Sequence, residues 1–139
     1  MRDTLKEIEK EISRVKGVLD HSVDGWWDWD ISENREVYSA RFLSMFGYTH
    51  DDFDDPESPD VWRSLIHPDD LRSALDAFEK HCEAKGAFPY WLQVRYAHKN
   101  GGWTTVLCRG HVVQWAADGA PLRMVGTHTV LDSPHERTT

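Results

Sequence analysis

The dipeptide Asn100-Gly101 separates two long runs rich in β-branched and aromatic residues, Pro89 to Lys99 and Gly102 to Trp115. A two-residue turn needs positive φ at its centre, which Asn and Gly adopt at low cost. The pair therefore predicts a β-hairpin with His98 opposite Trp103. A second turn signal, Asp118-Gly119, leads into a third run, Leu122 to Leu131. Three long antiparallel strands close the chain, and earlier segments must complete the sheet or cover it.

Two shorter strands are read upstream, Trp26 to Ile31 and Arg35 to Ser39, around the polar turn Ser32-Glu33-Asn34. Between them and the hairpin the period becomes helical. Ser39 is placed to cap a helix from Ala40 to Phe46, which Gly47 ends. Thr49 and Asp52 have capping-box spacing. Asp51 to Asp60 holds six acidic residues and two prolines, which makes it a solvated loop. Asp60 to Ile66 is a short helix. His67-Pro68-Asp69-Asp70 then opens a longer one to about Lys85, because Pro is free of cost at the first position and carboxylates favour the positive helix start. Leu71, Ala74, Leu75, Phe78 and Cys82 share one of its faces.

Ahead of all this, Leu5, Ile8, Ile12, Val15 and Leu19 recur at intervals of 3 and 4, an amphipathic helix. A helix of this length needs a partner surface, and two fit: its own domain or a second copy. The expected organisation is a signalling or dimerisation helix at 1–19, a folded domain at 20–132 and a polar tail or linker at 133–139. The fold class is α+β: a five-stranded antiparallel sheet, helices on one face, and the N-terminal amphipathic helix.

Composition removes several function classes. The net charge of −8 over 139 residues repels phosphate backbones, so nucleic acid is not an expected partner. No apolar run is long enough to insert in a membrane, and no segment resembles a signal peptide. Two cysteines without C-x-x-C spacing make neither a disulfide framework nor a zinc site. A cytoplasmic location is the expectation.

Several segments together resemble a PAS domain, of the branch common in bacterial sensor histidine kinases and diguanylate cyclases. They are Gly25-Trp26-Trp27-Asp28-Trp29-Asp30, Tyr38-Ser39-Ala40-Arg41-Phe42, Met45-Phe46-Gly47-Tyr48 and Trp62-Arg63-Ser64-Leu65-Ile66-His67-Pro68-Asp69-Asp70. Downstream come Arg95-Tyr96-Ala97-His98-Lys99-Asn100-Gly101, Arg109-Gly110, Asp118-Gly119-Ala120-Pro121 and Met124-Val125-Gly126-Thr127. The resemblance covers about residues 20 to 131. It implies a non-enzymatic sensory module that binds a small ligand or a partner and passes the change to an effector. Thr105 stands where similar domains often have a second Trp, and Val130-Leu131-Asp132 replaces their usual Asp-Ile-Thr ending.

Candidate chemistry is sparse. The His67–Asp70 stretch reads as a helix cap rather than an acid–base pair. No catalytic residue is expected, although His98, His111 and His128 are the strand-borne histidines that an enzyme would use. His81 lies on the helix that bears the proximal ligand in haem-binding PAS proteins. It sits about 80° off the apolar stripe, so haem is not expected. The related light-sensing domains use a Cys in an N-C-R-F-L-Q segment; Ala40-Arg41-Phe42-Leu43 lacks it, so cysteinyl–flavin adduct chemistry is excluded. No metal site is expected, since His111 and His128 have no third ligand.

A candidate pocket remains, between sheet and helices, lined by Phe42, Met45, Phe46, Leu65, Leu75, Phe78, Leu92, Val94, Tyr96 and Leu107. These residues equally describe a filled core. Arg95 and Arg109 would give the pocket a polar end for an acidic ligand; the alternative is that both face solvent. Both alternating sets of Leu122 to Leu131 are partly apolar, and Trp103 and Trp115 share a strand face with Leu107 and Val113. A sheet apolar on both sides calls for cover on both, which makes a homodimer through the N-terminal helix and sheet face the expected assembly.

Overall fold

The computed structural model describes residues 2–133, so the polar tail expected at 133–139 lies outside the described residues from 134 onward. The elements in chain order are α1 (Arg2–Asp20), β1 (Gly25–Asp30), β2 (Arg35–Tyr38), α2 (Ala40–Ser44), a 3₁₀ turn (His50–Asp52), α3 (Asp60–Leu65), α4 (Pro68–Glu83), β3 (Tyr90–Ala97), β4 (Trp103–Trp115) and β5 (Pro121–Asp132). The strands form one sheet in the order β2-β1-β5-β4-β3, with every neighbouring pair antiparallel. The α+β class and the five strands are as the sequence implies.

The helix signals act as their chemistry requires. Ser39 Oγ accepts the Phe42 N–H at 3.1 Å, capping α2, and also the Trp26 N–H at 2.9 Å, which ties that cap to β1. Thr49 and Asp52 form the expected capping box. His67 Nδ1 accepts the Asp69 N–H at 3.0 Å and so caps α4. Asp70 accepts three hydrogen bonds from Arg95, one from its backbone and two from its guanidinium, which fasten α4 to β3. That pairing holds the Asp70 carboxyl below the usual carboxylate range. The acidic loop covers the edge of the sheet: the Glu36 N–H donates to the Glu57 carbonyl, and Arg35 grips Asp55 through both terminal nitrogens. An edge strand left bare would invite pairing with other chains.

Two register details depart from the sequence reading. Ala97, not His98, faces Trp103, because Gly101 and Gly102 both take positive φ, 100° and 79°. The Gly101 N–H returns to the His98 carbonyl and the His98 N–H to that of Gly102, giving a longer loop that suits the twist of the strands. Near the end of β4, Val112 pairs with Met124 and Gln114 with Arg123, leaving Val113 as a bulge. One extra residue reverses the alternation, so Trp115 packs against the core rather than sharing the outer face with Leu107 and Val113.

The core-side face of the sheet is organised by Trp27. Its indole lies over the paired glycines Gly110 and Gly126, where a Cβ on Gly110 would stand 2.8 Å from its ring and one on Gly126 would strike both the ring and the Arg109 carbonyl. Only glycine at both positions leaves the sheet flat enough for that ring. Gly126→Ala is therefore expected to cost roughly 3 kcal/mol in urea unfolding. Gly110→Ala should cost less, since the contacts there are longer and made by side chains only, with no backbone in the way.

Candidate functional site

On the core face, β1 presents Trp27 and Trp29, β2 presents Glu36 and Tyr38, and β5 presents Met124 and His128. Strict alternation from the observed registers puts them side by side. Trp29 stands directly opposite Glu36. α3 and α4 roof this quarter of the sheet without filling it. A cavity of about 160 Å³ remains, floored by Trp27, Trp29, Glu36, Tyr90, Met124 and His128. Trp62 comes from α3, and Ala74, Leu75 and Phe78 from α4; Asn34, Pro59, Asp60 and Arg63 stand at its margin. The volume is about that of an engineered cavity that admits benzene.

The polar groups of the cavity form two sets. His128 is completely enclosed. Its Nδ1 lies 2.9 Å from Trp27 Nε1, and its Nε2 lies 2.9 Å from the Tyr96 hydroxyl and 3.0 Å from Cys108 Sγ. An indole N–H can only donate, so Nδ1 accepts and the imidazole proton sits on Nε2. A second proton would leave two donors facing each other. Burial alone already drives the pKa of His128 down to about 3. Burial likewise pushes the Cys108 thiol far up, leaving it a packed, unreactive group. Neither ring nitrogen is free to serve as a general base.

Glu36 is the other set. Only 8% of it is exposed, and it lines the cavity on a strand whose other face is in water. Its pKa is raised to about 8: burial is the main cause, the Asp28 charge adds to it, and a hydrogen bond with Tyr38 works against it. Near neutral pH the group is therefore mostly protonated.

The candidate pocket read from sequence divides three ways. Leu75 and Phe78 line the cavity. Phe42, Met45, Phe46, Leu65, Val94 and Tyr96 are buried in a packed core with Leu92 against them; the Phe42, Phe46 and Tyr96 rings stack within 4.8–6.2 Å. Leu107, Arg95 and Arg109 lie on the opposite side of the alternation from Val94, Tyr96, Val106 and Cys108, so none of the three reaches the cavity. Arg95 wraps the edge of β3 to Asp70. Arg109 bonds Thr129 at 2.8 Å, stands 3.6 Å from Asp24 and lies over Trp91. The two arginines therefore do not supply a polar end to the cavity.

His81 is also corrected. It is fully buried, not turned off the apolar stripe. Its Nδ1 donates to the Phe88 carbonyl at 2.7 Å and its Nε2 accepts the Val112 N–H at 3.0 Å. Pairing of β3 with β4 ends at Tyr90–Gly110, so Val112 lies past the last rung, and the helix supplies its acceptor. His111 is only 5.0 Å from His81 and is separated from His128 by three residues of β5 register. Among the described residues no cluster of three His, Cys, Asp or Glu is arranged to hold a metal.

Sequence reading missed Glu36, Trp27, Trp29, Trp62, Tyr90, Met124 and His128 as cavity residues. A signal existed for Glu36: in Arg35-Glu36-Val37-Tyr38, an inward Tyr38 obliges Glu36 to point inward as well. His128 had no such signal, because its partners arrive from β1, β3 and β4.

This architecture, a five-stranded antiparallel sheet with α3 and α4 over a small cavity, defines a sensor-type α+β domain. The chain belongs to the PAS-fold family, whose model matches residues 35–128. Among solved structures it is similar to a sensory box histidine kinase/response regulator from Burkholderia thailandensis (27% identity, 85% of this chain and 84% of that one, TM-score 0.68). It also resembles in fold the N-terminal domain of a diguanylate cyclase with a PAS/PAC sensor from Marinobacter aquaeolei (16% identity, 81% and 99%, TM-score 0.64). A light–oxygen–voltage domain studied with a flavin analogue shares the fold too (15% identity, 88% and 87%, TM-score 0.59). Beside that likeness, the missing thiol speaks only to adduct formation and not to non-covalent flavin binding. No curated protein sequence matches the chain. Among the described residues, no helix is long and apolar enough to cross a membrane.

The two buried groups give opposite pH dependences. The unfolded His128 takes a proton below about 6.5, whereas the folded one resists until about 3, so stability from this group falls as pH drops through that window. Glu36 binds its proton in the folded state up to about 8 but in the unfolded chain only to about 4.5, so stability from it falls as pH rises between those values. Urea unfolding from pH 4.5 to 8.5 should therefore show Glu36→Gln gaining on the wild type with rising pH. The two curves should run parallel above about 8.

Proposed function

We propose that the chain is the sensory input domain of a bacterial signalling protein of the histidine kinase or diguanylate cyclase kind. It binds a small ligand in the cavity roofed by α3 and α4 and acts as a homodimer. The observation that carries this reading is the cavity itself: a partly open space with aromatic walls and one buried carboxyl. Pockets of this kind, mostly apolar with a few convergent polar groups, are the usual form of a ligand site. The domain has no catalytic role; an effector elsewhere in the protein carries the activity. It works in the cytoplasm with both cysteines reduced.

The enclosed part of the cavity has room for about a single ring. Residues 1–19 serve as the signalling helix, 20–132 as the sensor and 133–139 as a linker. In support of pairing through α1, Leu5, Ile8, Ile12 and Val15 of the stripe are all about half or more exposed, and only Leu19 at its end is half-buried, beside Trp26. An apolar stripe of this kind is stable in water when a second copy covers it. The outer sheet face adds exposed Trp91, Trp103, Val113 and Leu131. The path between ligand and helix is one residue long: Trp27 of β1 borders the cavity, while its neighbour Trp26 borders the groove formed with Ile12, Val15 and Leu19. A ligand that moves Trp27 shifts the strand on which α1 leans.

A second reading, a constitutive interaction domain without ligand, is favoured by the tight packing around Phe42, Phe46 and Tyr96. Native mass spectrometry separates the two. The expected result is a species of twice the chain mass carrying a small adduct that is lost on denaturation; a bare dimer that no small molecule stabilises against heat supports the second reading. Deleting residues 1–19 is expected to convert the dimer to monomer at micromolar concentration. A dimer that survives the deletion removes α1 as the interface.

A further inference from the structure

The cavity holds a carboxyl where apolar side chains would pack more cheaply. Glu36 is more than nine-tenths buried, and among the described residues no lysine or arginine forms an ion pair with it. The rings of Trp27, Trp29, Trp62, Phe78 and Tyr90 line the same cavity. Trp29 is its direct cross-strand neighbour, and Phe78 lies 5.3 Å from Trp29 between ring centres. A buried carboxylate is costly unless a cation or several donors meet it. Aromatic faces, with their negative quadrupoles, attract the same charge. We infer that the cavity selects a small organic ammonium ion, its charged nitrogen on Glu36 and its apolar body among the indole and phenyl rings. This inference rests on the reading of the cavity as the sensory ligand site.

The electrostatics around Glu36 agree. Asp28 of β1 adds negative charge, Tyr38 of β2 and Tyr90 of β3 are neutral phenols, and His128 of β5 is kept neutral by burial. α3 brings Asp60 and Arg63 of opposite sign, both exposed at the margin, and α4 contributes only apolar side chains. An anion entering here meets a cation only at the margin, in Arg63, while Asp28, itself paired with Arg123 of β5, lies behind the wall. Size sets the second limit: a cavity of about 160 Å³ admits one ring with a short amine arm.

Charge balance gives the binding a signature. In the free protein at neutral pH Glu36 carries a proton; an ammonium ion that pairs with it needs the carboxylate, so binding releases that proton to the buffer. The protein thus reads an amine and pH together, binding more tightly as pH rises toward 8.

Thermal melts and titration calorimetry of the full chain with benzylamine, benzyl alcohol and benzoate test this, since the three share a ring and differ in charge. At pH 7 benzylamine is expected to raise the melting temperature most. Calorimetry in two buffers of different ionisation heat should count close to one proton released per benzylammonium bound. Glu36→Gln should weaken benzylamine about tenfold or more, abolish the proton release and leave benzyl alcohol unchanged. The proton count is made on wild-type protein, so it stands even if the variant folds poorly. Equal stabilisation by benzyl alcohol or benzoate, with no proton released, overturns the ammonium inference and leaves the cavity as a ligand site. No stabilisation by any of the three, in protein whose native mass carries no adduct, overturns both.

Discussion

The Trp27 indole, laid flat over Gly110 and Gly126 with its N–H on His128, is the contact on which the rest of the structure depends. It joins β1 to β4 and β5 on the core side and fixes the tautomer of the buried His128 imidazole. Through Nε2 of that imidazole it reaches Tyr96 of β3 and Cys108 of β4. Four of the five strands are therefore held by a chain of hydrogen bonds made in low dielectric, where each is strong and none can be lost without leaving a buried polar atom unpaired. The aromatic cluster of Phe42, Phe46 and Tyr96 packs against the same imidazole, with the Phe42 ring 4.8 Å from it. One half of the core is thus full because the network demands close packing around it.

The other half is hollow for a related reason. Trp27 occupies the ground over the two glycines, and the short α3 and the start of α4 are held away from the sheet by their own anchors, Tyr38 to the backbone of Trp62 and Asp70 to Arg95. The space between Trp29, Glu36 and Phe78 is spanned rather than filled. A protein interior normally closes such a gap. Here the floor carries a carboxyl that burial keeps mostly protonated near neutral pH.

The two faces of β1 connect the cavity to the surface. Alternation puts Trp27 and Trp29 against the cavity and Trp26 toward α1, with no intervening layer. Sheets and packed cores move between discrete arrangements rather than deforming smoothly, so a ligand that repositions one indole has a short route to the helix. The exposed stripe of α1 is the part of the molecule that a second copy is best placed to complete.

Local chemistry in the sequence determined the elements: the caps at Ser39 and His67, the turns at Asn100-Gly101 and Asp118-Gly119, the stripe of α1 and the period-two strands all depend on residues a few positions apart. The family motifs, spread along the chain in order, were legible for the same reason. The tertiary structure alone decided which face of the sheet became core, because a bulge at Val113 and a one-residue change in the hairpin loop move whole sets of side chains across it. It alone placed Arg95, Arg109 and Leu107 outside the cavity and His81 inside the core, since a helix face is defined by what packs on it. And it alone brought Glu36 beside Trp62 and Phe78, and His128 beside Trp27, Tyr96 and Cys108, because those neighbours come from strands and helices far apart in the chain. A one-dimensional pattern carries the period of an element but not the identity of what that element will meet.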